Sequence, residues 1–242
     1  MKKVCSLILF ALISITWASA QNVMVINDKN AEVRNLASFH GIRVSNAFDV
    51  IIKQGNEEAV VVSAIDEKYR SRIKTEVVDG VLRITYDNDG VWKWNSENKK
   101  LRAYISVKDL DKLEISGATD VKIDGMLKGR NLKIDLSGAS SLKGSVEYES
   151  ISIDQSGASD SKLAGTVKNL DIDLSGASDF NCFELVAENC RAEASGASDI
   201  FITVNNDLKV NASGASDVQY KGTASISDFR TSGASSLKKR TK

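Results

Sequence analysis

Aspartate stands at positions 120, 160, 179, 199 and 217, each time closing a five-residue phrase of the kind Ser116-Gly117-Ala118-Thr119-Asp120. Ser141 and Ser236 fill the same place in two further copies. A residue type that recurs at one phase of a repeat becomes a column on its surface, and a column of carboxylates suits a divalent cation or a polar ligand. Lys122, Lys143, Lys162 and Lys238 follow two residues later, on the same outward phase. On the preceding segment Glu114, Asp135, Asp154, Asp173 and Glu193 run beside Lys112, Lys133, Arg191 and Lys209. The plainer reading is a solvated face laced with ion pairs worth ~0–1 kcal/mol each; the sharper one is a cation or ligand column. Calcium-binding β-rolls repeat every nine residues with several glycines, a pattern missing from this chain. No metal and no cofactor is assigned.

Other residues could carry chemistry. A glycosidase or polysaccharide lyase sets paired carboxylates in a cleft between loops. Here the acids recur copy after copy and the connections between copies are short, so no catalytic residue is assigned; a carbohydrate-active enzyme stays as the alternative to a non-enzymatic binding module. The single histidine, His40, precedes the first copy, and a Ser-His-Asp arrangement would have to select one serine among equivalents. It is read as an edge residue. Cys182 and Cys190 fall on the inward phase and read first as buried thiols, second as a disulfide; two cysteines without histidine partners make a poor zinc set. Trp92 and Trp94 suit either a sugar-stacking platform or a strand face capping one end of the fold.

The elements that must hold these residues follow from the phrase itself. Seven copies place glycines at 117, 138, 157, 176, 196, 214 and 233, in steps of 21, 19, 19, 20, 18 and 19 residues. That period is too short for a helix pair and suits one coil of a three-sided β-solenoid. Before the phrase, Leu132, Ile134, Leu136 and Leu170, Ile172, Leu174 alternate with polar residues; after it, Ile200 and Ile202 resume the alternation. Two strands therefore meet at each phrase, which makes a corner: glycine reaches positive φ, the next alanine fits a crowded inner bend, and the serines bond the backbone groups the bend frees.

The start of the chain reads as an export signal: basic Lys2-Lys3, apolar Leu7 to Ile15, then Ala18-Ser19-Ala20 before Gln21. No later stretch approaches ~20 consecutive apolar residues. The expected location is periplasmic, outer-surface or secreted. Basic and acidic residues number 32 each, falling to 30 against 32 without Lys2 and Lys3, so no nucleic-acid partner is implied.

Residues 21–37 read as a leader with a strand near Val23 to Ile26, and 38–242 as one domain. Within it, Ser45-Asn46-Ala47-Phe48-Asp49 matches the phrase with Asn46 at the glycine position, so 38–58 reads as a degenerate first coil that opens the solenoid. Residues 59–108 form a non-repeating insert: a strand at Val60 to Ala64, a short helix or turn at Asp66 to Ile73, and a hairpin about Asp79-Gly80. Leu101 to Val107 is expected to lead into seven regular coils over 109–242. The basic ending Lys238-Lys239-Arg240 reads as a guard against edge stacking.

The Ser-Asn-Ala-Phe-Asp-Val segment with Gln54-Gly55, the Asp-Gly hairpin and the run of Ser-Gly-Ala-Ser-Asp copies together resemble the putative autotransporter-adhesin head GIN domain family over roughly residues 38 to 236. The resemblance implies an exported, right-handed parallel β-helix and carries no catalytic motif. The expected function is an adhesion-like or cell-envelope interaction module with an unidentified glycan or protein partner, or with further copies of itself.

Overall fold

The computed structural model describes residues 28–88 and 99–241. The export signal, the strand expected at Val23 to Ile26, and Trp92 and Trp94 lie outside the described residues. Sixteen strands and one helical turn follow in chain order: β1 (Glu32–Arg34), β2 (Gly41–Val44), β3 (Phe48–Gln54), β4 (Ala59–Ser63), α1 (Glu67–Arg70), β5 (Ile73–Val78), β6 (Val81–Tyr86), β7 (Leu101–Val107), β8 (Lys112–Ile115), β9 (Asp120–Leu136), β10 (Ser141–Gln155), β11 (Asp160–Leu174), β12 (Asp179–Ala194), β13 (Asp199–Ala212), β14 (Asp217–Lys221), β15 (Ser225–Thr231) and β16 (Ser236–Lys239).

From β9 onward each coil lies parallel on the coil before it, one repeat away. Ile134 pairs with Ile153 and Ile153 with Ile172, so like residues stack on like and the alternation seen in the sequence becomes a β-solenoid of about seven turns. Leu136, Ile153, Ile172, Ala192 and Val210 all point into one continuous apolar core. Inside a long strand the in-and-out alternation breaks twice, at Ala164-Gly165 and Lys168-Asn169 in β11, which divides the coil into three runs. Variation in coil length is absorbed at the first of these breaks: the 21-residue coil carries Asp124-Gly125 there, where the register jumps between Lys143 and Ser145.

The N-terminal part departs from the sequence reading. The coil formed by β2 and β3 does not open the solenoid. β6 lies parallel beneath β2 and β7 parallel beneath β3, so residues of the supposed insert supply a further, outermost coil. β7 still leads into β8 along the chain but is separated from the repeat array in space by the β2/β3 coil; the chain steps down after β3 and returns above it through β8 and β9. Antiparallel strands finish this end. β5 folds back on β6 through Asp79 and Gly80, both at positive φ as a tight hairpin requires, and β4 lies on β7. β1, inside the stretch read as a leader, lies on β4. Asp66 caps α1 by accepting from the Lys68 N–H.

Candidate functional site

The corner phrase builds the site. Gly117, Gly138, Gly157, Gly176, Gly196, Gly214 and Gly233 all have φ between +73° and +81°, and Asn46 has φ +85°. They form one ridge, because the N–H of each following alanine donates to the carbonyl of the ridge residue one coil below, as Ala139 does to Gly117 at 2.7 Å. The alanines face outward, contrary to the expected inner bend; the fourth position is the buried one. Its hydroxyl turns back to the carbonyl of the phrase's first residue, as Ser140 does to Ser137 at 3.0 Å and Ser198 to Ser195 at 2.7 Å. A small hydroxyl residue at that place closes the corner from within.

Immediately beyond each corner stands the aspartate. Parallel pairing places Asp49, Asp120, Ser141, Asp160, Asp179, Asp199, Asp217 and Ser236 in one unbroken outward column. Neighbours in such a ladder are ~4.8 Å apart. The two serines relieve their neighbours: Ser141 Oγ donates to Asp120 and Ser236 Oγ donates to Asp217 at 2.5 Å. Among the described residues no serine hydroxyl donates to Asp160, Asp179 or Asp199; Asp199 Oδ1 accepts the Asp217 backbone N–H at 3.3 Å. Burial, and after it the charges of Asp160 and Asp199 on either side, raise the Asp179 carboxyl above the usual carboxylate range.

The lysines two residues on do not neutralise this column. Lys122, Lys143 and Lys162 are in register with one another, and no ion pair joins them to it among the described residues. On one pleated face residues two apart sit ~6.6 Å from each other. Ion pairing is concentrated on the third run instead: Lys112 bonds Glu114 at 2.8 Å, Lys133 bridges Asp135 and Asp154 at 3.3 Å each, and Arg191 reaches Asp171 at 3.2 Å and Glu193 at 2.6 Å. Arg43 also bonds Glu114, and that hydrogen bond foremost holds the Glu114 carboxyl down at about 2.

Sequence reasoning missed the aromatic part of the first run. Two residues beyond Asp199, Phe201 takes the phase held elsewhere by lysine, pairing with Asn181 below and Gln219 above. It meets Phe183 edge to face, with ring centroids 5.5 Å apart, and the Lys221 ammonium lies 4.5 Å from the centre of the Phe183 ring. The signal was an outward Phe where neighbouring coils carry polar residues. Phe183 follows Cys182 at the site where the register of this coil shifts.

The remaining candidates settle into the framework. His40 Nδ1 lies 2.8 Å from Asp111 Oδ1 on an exposed edge beside the Asp79-Gly80 turn. Cys182 and Cys190 are buried free thiols; burial pushes the Cys182 thiol up to about 12 and raises Cys190 as well. Among the described residues no three His, Cys, Asp or Glu side chains are placed to hold one metal ion, and no helix is long and apolar enough to cross a membrane.

The family described as "Putative auto-transporter adhesin, head GIN domain" matches residues 38–224. The chain belongs to that family. Solved structures share its fold. A Bacteroides fragilis protein described as a putative adhesin is 20% identical with a TM-score of 0.79, over 88% of this chain and 98% of that one. A putative adhesin from Parabacteroides merdae is 16% identical with a TM-score of 0.68, over 87% and 95%. A Parabacteroides distasonis protein described as a putative lipid binding protein is 19% identical with a TM-score of 0.66, over 88% and 98%. No curated protein matches the chain significantly. At these identities the structural likeness speaks for the GIN-domain fold alone.

Proposed function

We propose that the chain is an exported, non-enzymatic, adhesion-like module that binds a glycan or protein partner along the first run of its coils. The observation that carries this reading is the aspartate column. Charges ~4.8 Å apart repel by on the order of 1 kcal/mol even in water, and Asp160, Asp179 and Asp199 stand together with no lysine ion pair and no serine hydroxyl on them among the described residues, Asp199 accepting the Asp217 backbone N–H. A surface kept in that state gains when a partner brings hydroxyl or amine donors to it. Phe201 and Phe183 beside the column add an apolar face of the kind on which sugar rings and aliphatic side chains pack. The naming of family and structural neighbours as adhesins supports the same class.

The test is a glycan array and a pull-down with the full chain, repeated with Asp179→Asn/Asp199→Asn and with Phe201→Ala. A bound ligand whose signal falls at least tenfold in both variants is the expected result. Binding indifferent to both variants, or release of sugar products from a polysaccharide by the unmodified chain, would overturn it.

A further inference from the structure

The two ends of the solenoid are finished differently. At the β7 end, β4 and β1 lie antiparallel over β7, and β5 covers β6. At the other end β15 pairs with β13 and β16 with β14, and among the described residues nothing bonds to their outer edges. Every residue of β15 is exposed. Two of them break the pattern of the chain: Ile226 and Phe229 lie over Leu208 and Val210, on the inward phase, yet are 44% and 48% exposed. The apolar core is cut across here, and an open strand edge with an apolar inner side is a template for pairing with another chain.

We propose that this end is a two-fold interface with a second copy of the same chain, in which β15 pairs antiparallel with the partner's β15 about an axis through Phe229. Charge chooses both occupant and axis. Centring the pair on Phe229 brings Asp228 opposite the partner's Arg230, and by symmetry Arg230 opposite the partner's Asp228; opposite charges directly across a ladder stabilise it and like charges weaken it. Arg230 already bonds Asp228 at 3.2 Å within one chain, so the two need only exchange partners. An axis through β16 would instead set Lys238 and Lys239 against the same cations.

The pitch of the coil agrees with this axis. Each coil rises ~4.8 Å in three runs, about a third of that per run. β16 stands a third of a turn above β15, and the second run, 222–224, a third below. Half a turn about the Phe229 axis therefore carries each β16 to ~4.8 Å from the partner's second run, the spacing it would have in an ordinary coil. Phe229, Ile226 and the inward Leu237 then continue the core from one copy into the next. The capped β7 end leaves no matching surface for head-to-tail growth, so the assembly closes at two.

Sedimentation velocity and light scattering on the full chain across a concentration series test this. The expected result is a dimer whose dissociation constant rises at least tenfold in Asp228→Arg and in Arg230→Asp and returns toward the original in the double exchange Asp228→Arg/Arg230→Asp. Hydrogen exchange supplies an independent readout: amides of β15 should slow as the dimer forms. A chain monomeric throughout the series, a double exchange no better than either single, or a dimer that leaves β15 unprotected would each overturn the proposal.

Discussion

A methyl group added at Gly176 would stand 2.7 Å from the carbonyl oxygen of Gly157, one coil below. That carbonyl is held by the Ala177 N–H at 2.8 Å and cannot swing aside. Gly176 also sits at φ +76°, where a side chain costs about 1–2 kcal/mol by itself. Gly125, at φ +87° with nothing within 4 Å of an added Cβ, separates the two effects. Gly125→Ala should lose about 1 kcal/mol and Gly176→Ala clearly more, both read as the midpoint of denaturant unfolding; equal losses would mean that stacking plays no part in the choice of glycine.

The same ridge explains why Asn46 is admitted. Beneath the strand that leads into it, β6 ends at Tyr86. Among the described residues no glycine carbonyl lies under Asn46, and its side-chain Oδ1 accepts the Tyr86 N–H at 3.0 Å. The phrase and the alternating apolar residues made the parallel coils legible because stacking repeats the same contact at every turn. The order of the first coils was not legible, since Val81 to Ile84 alternates as any hairpin strand does and nothing local tells it which neighbour lies beyond. Counting by twos also failed across the corner: one left-handed residue turns the chain so that the serine, not the alanine, comes inside. The aspartate column was readable from spacing, but its lack of neutralisation was not, because that depends on where long lysine side chains extend.

Gln155 interrupts a core column otherwise filled by Leu136 and Leu174. Its side-chain Nε2 donates to the Asp179 carbonyl at 3.0 Å and to the Ser159 carbonyl, while Ser161 Oγ donates to its Oε1 at 2.8 Å. Gln155→Leu fits the space but leaves the buried Ser161 hydroxyl without that acceptor, a loss of about 1–3 kcal/mol. Adding Ser161→Ala removes the stranded group and should recover most of the stability. Thermal melting of the two singles and the double measures this, and additive losses would show that the pair does not act as a unit.

Asp179 should respond to neutralisation in the direction opposite to an ordinary structural carboxylate. Burial, with Asp160 and Asp199 adding to it, raises its pKa in the folded chain, so the folded state holds the proton more tightly than the unfolded one. Its charge then costs stability above the folded pKa, and the cost fades as pH falls through that value toward and below the unfolded one near 3.9. Asp179→Asn is expected to melt higher than the original at pH 7, by about 1 kcal/mol or less in stability, with the gain gone by about pH 3. A residue whose removal stabilises the fold is one the fold does not require, as expected where a surface serves binding.

Glu114 supplies the opposite sign on the third run. Arg43 first and Lys112 with it hold its pKa at about 2 in the folded chain, against about 4.3 for a free glutamate. The folded state therefore favours the ionised form, and the stabilisation is complete above the unfolded value and is lost as pH falls from about 4.5 to about 2. Glu114→Gln should melt lower than the original at pH 7, by about 1 kcal/mol in stability since the side chain is 16% exposed and its partner Arg43 46%, and the two curves should meet near pH 2. Melting curves of Asp179→Asn and Glu114→Gln across one pH series thus diverge from the original in opposite directions at neutrality and converge on it in acid. If both variants lay on the same side, the contrast between a carboxyl held down by Arg43 and Lys112 and one raised by burial with Asp160 and Asp199 beside it would fail.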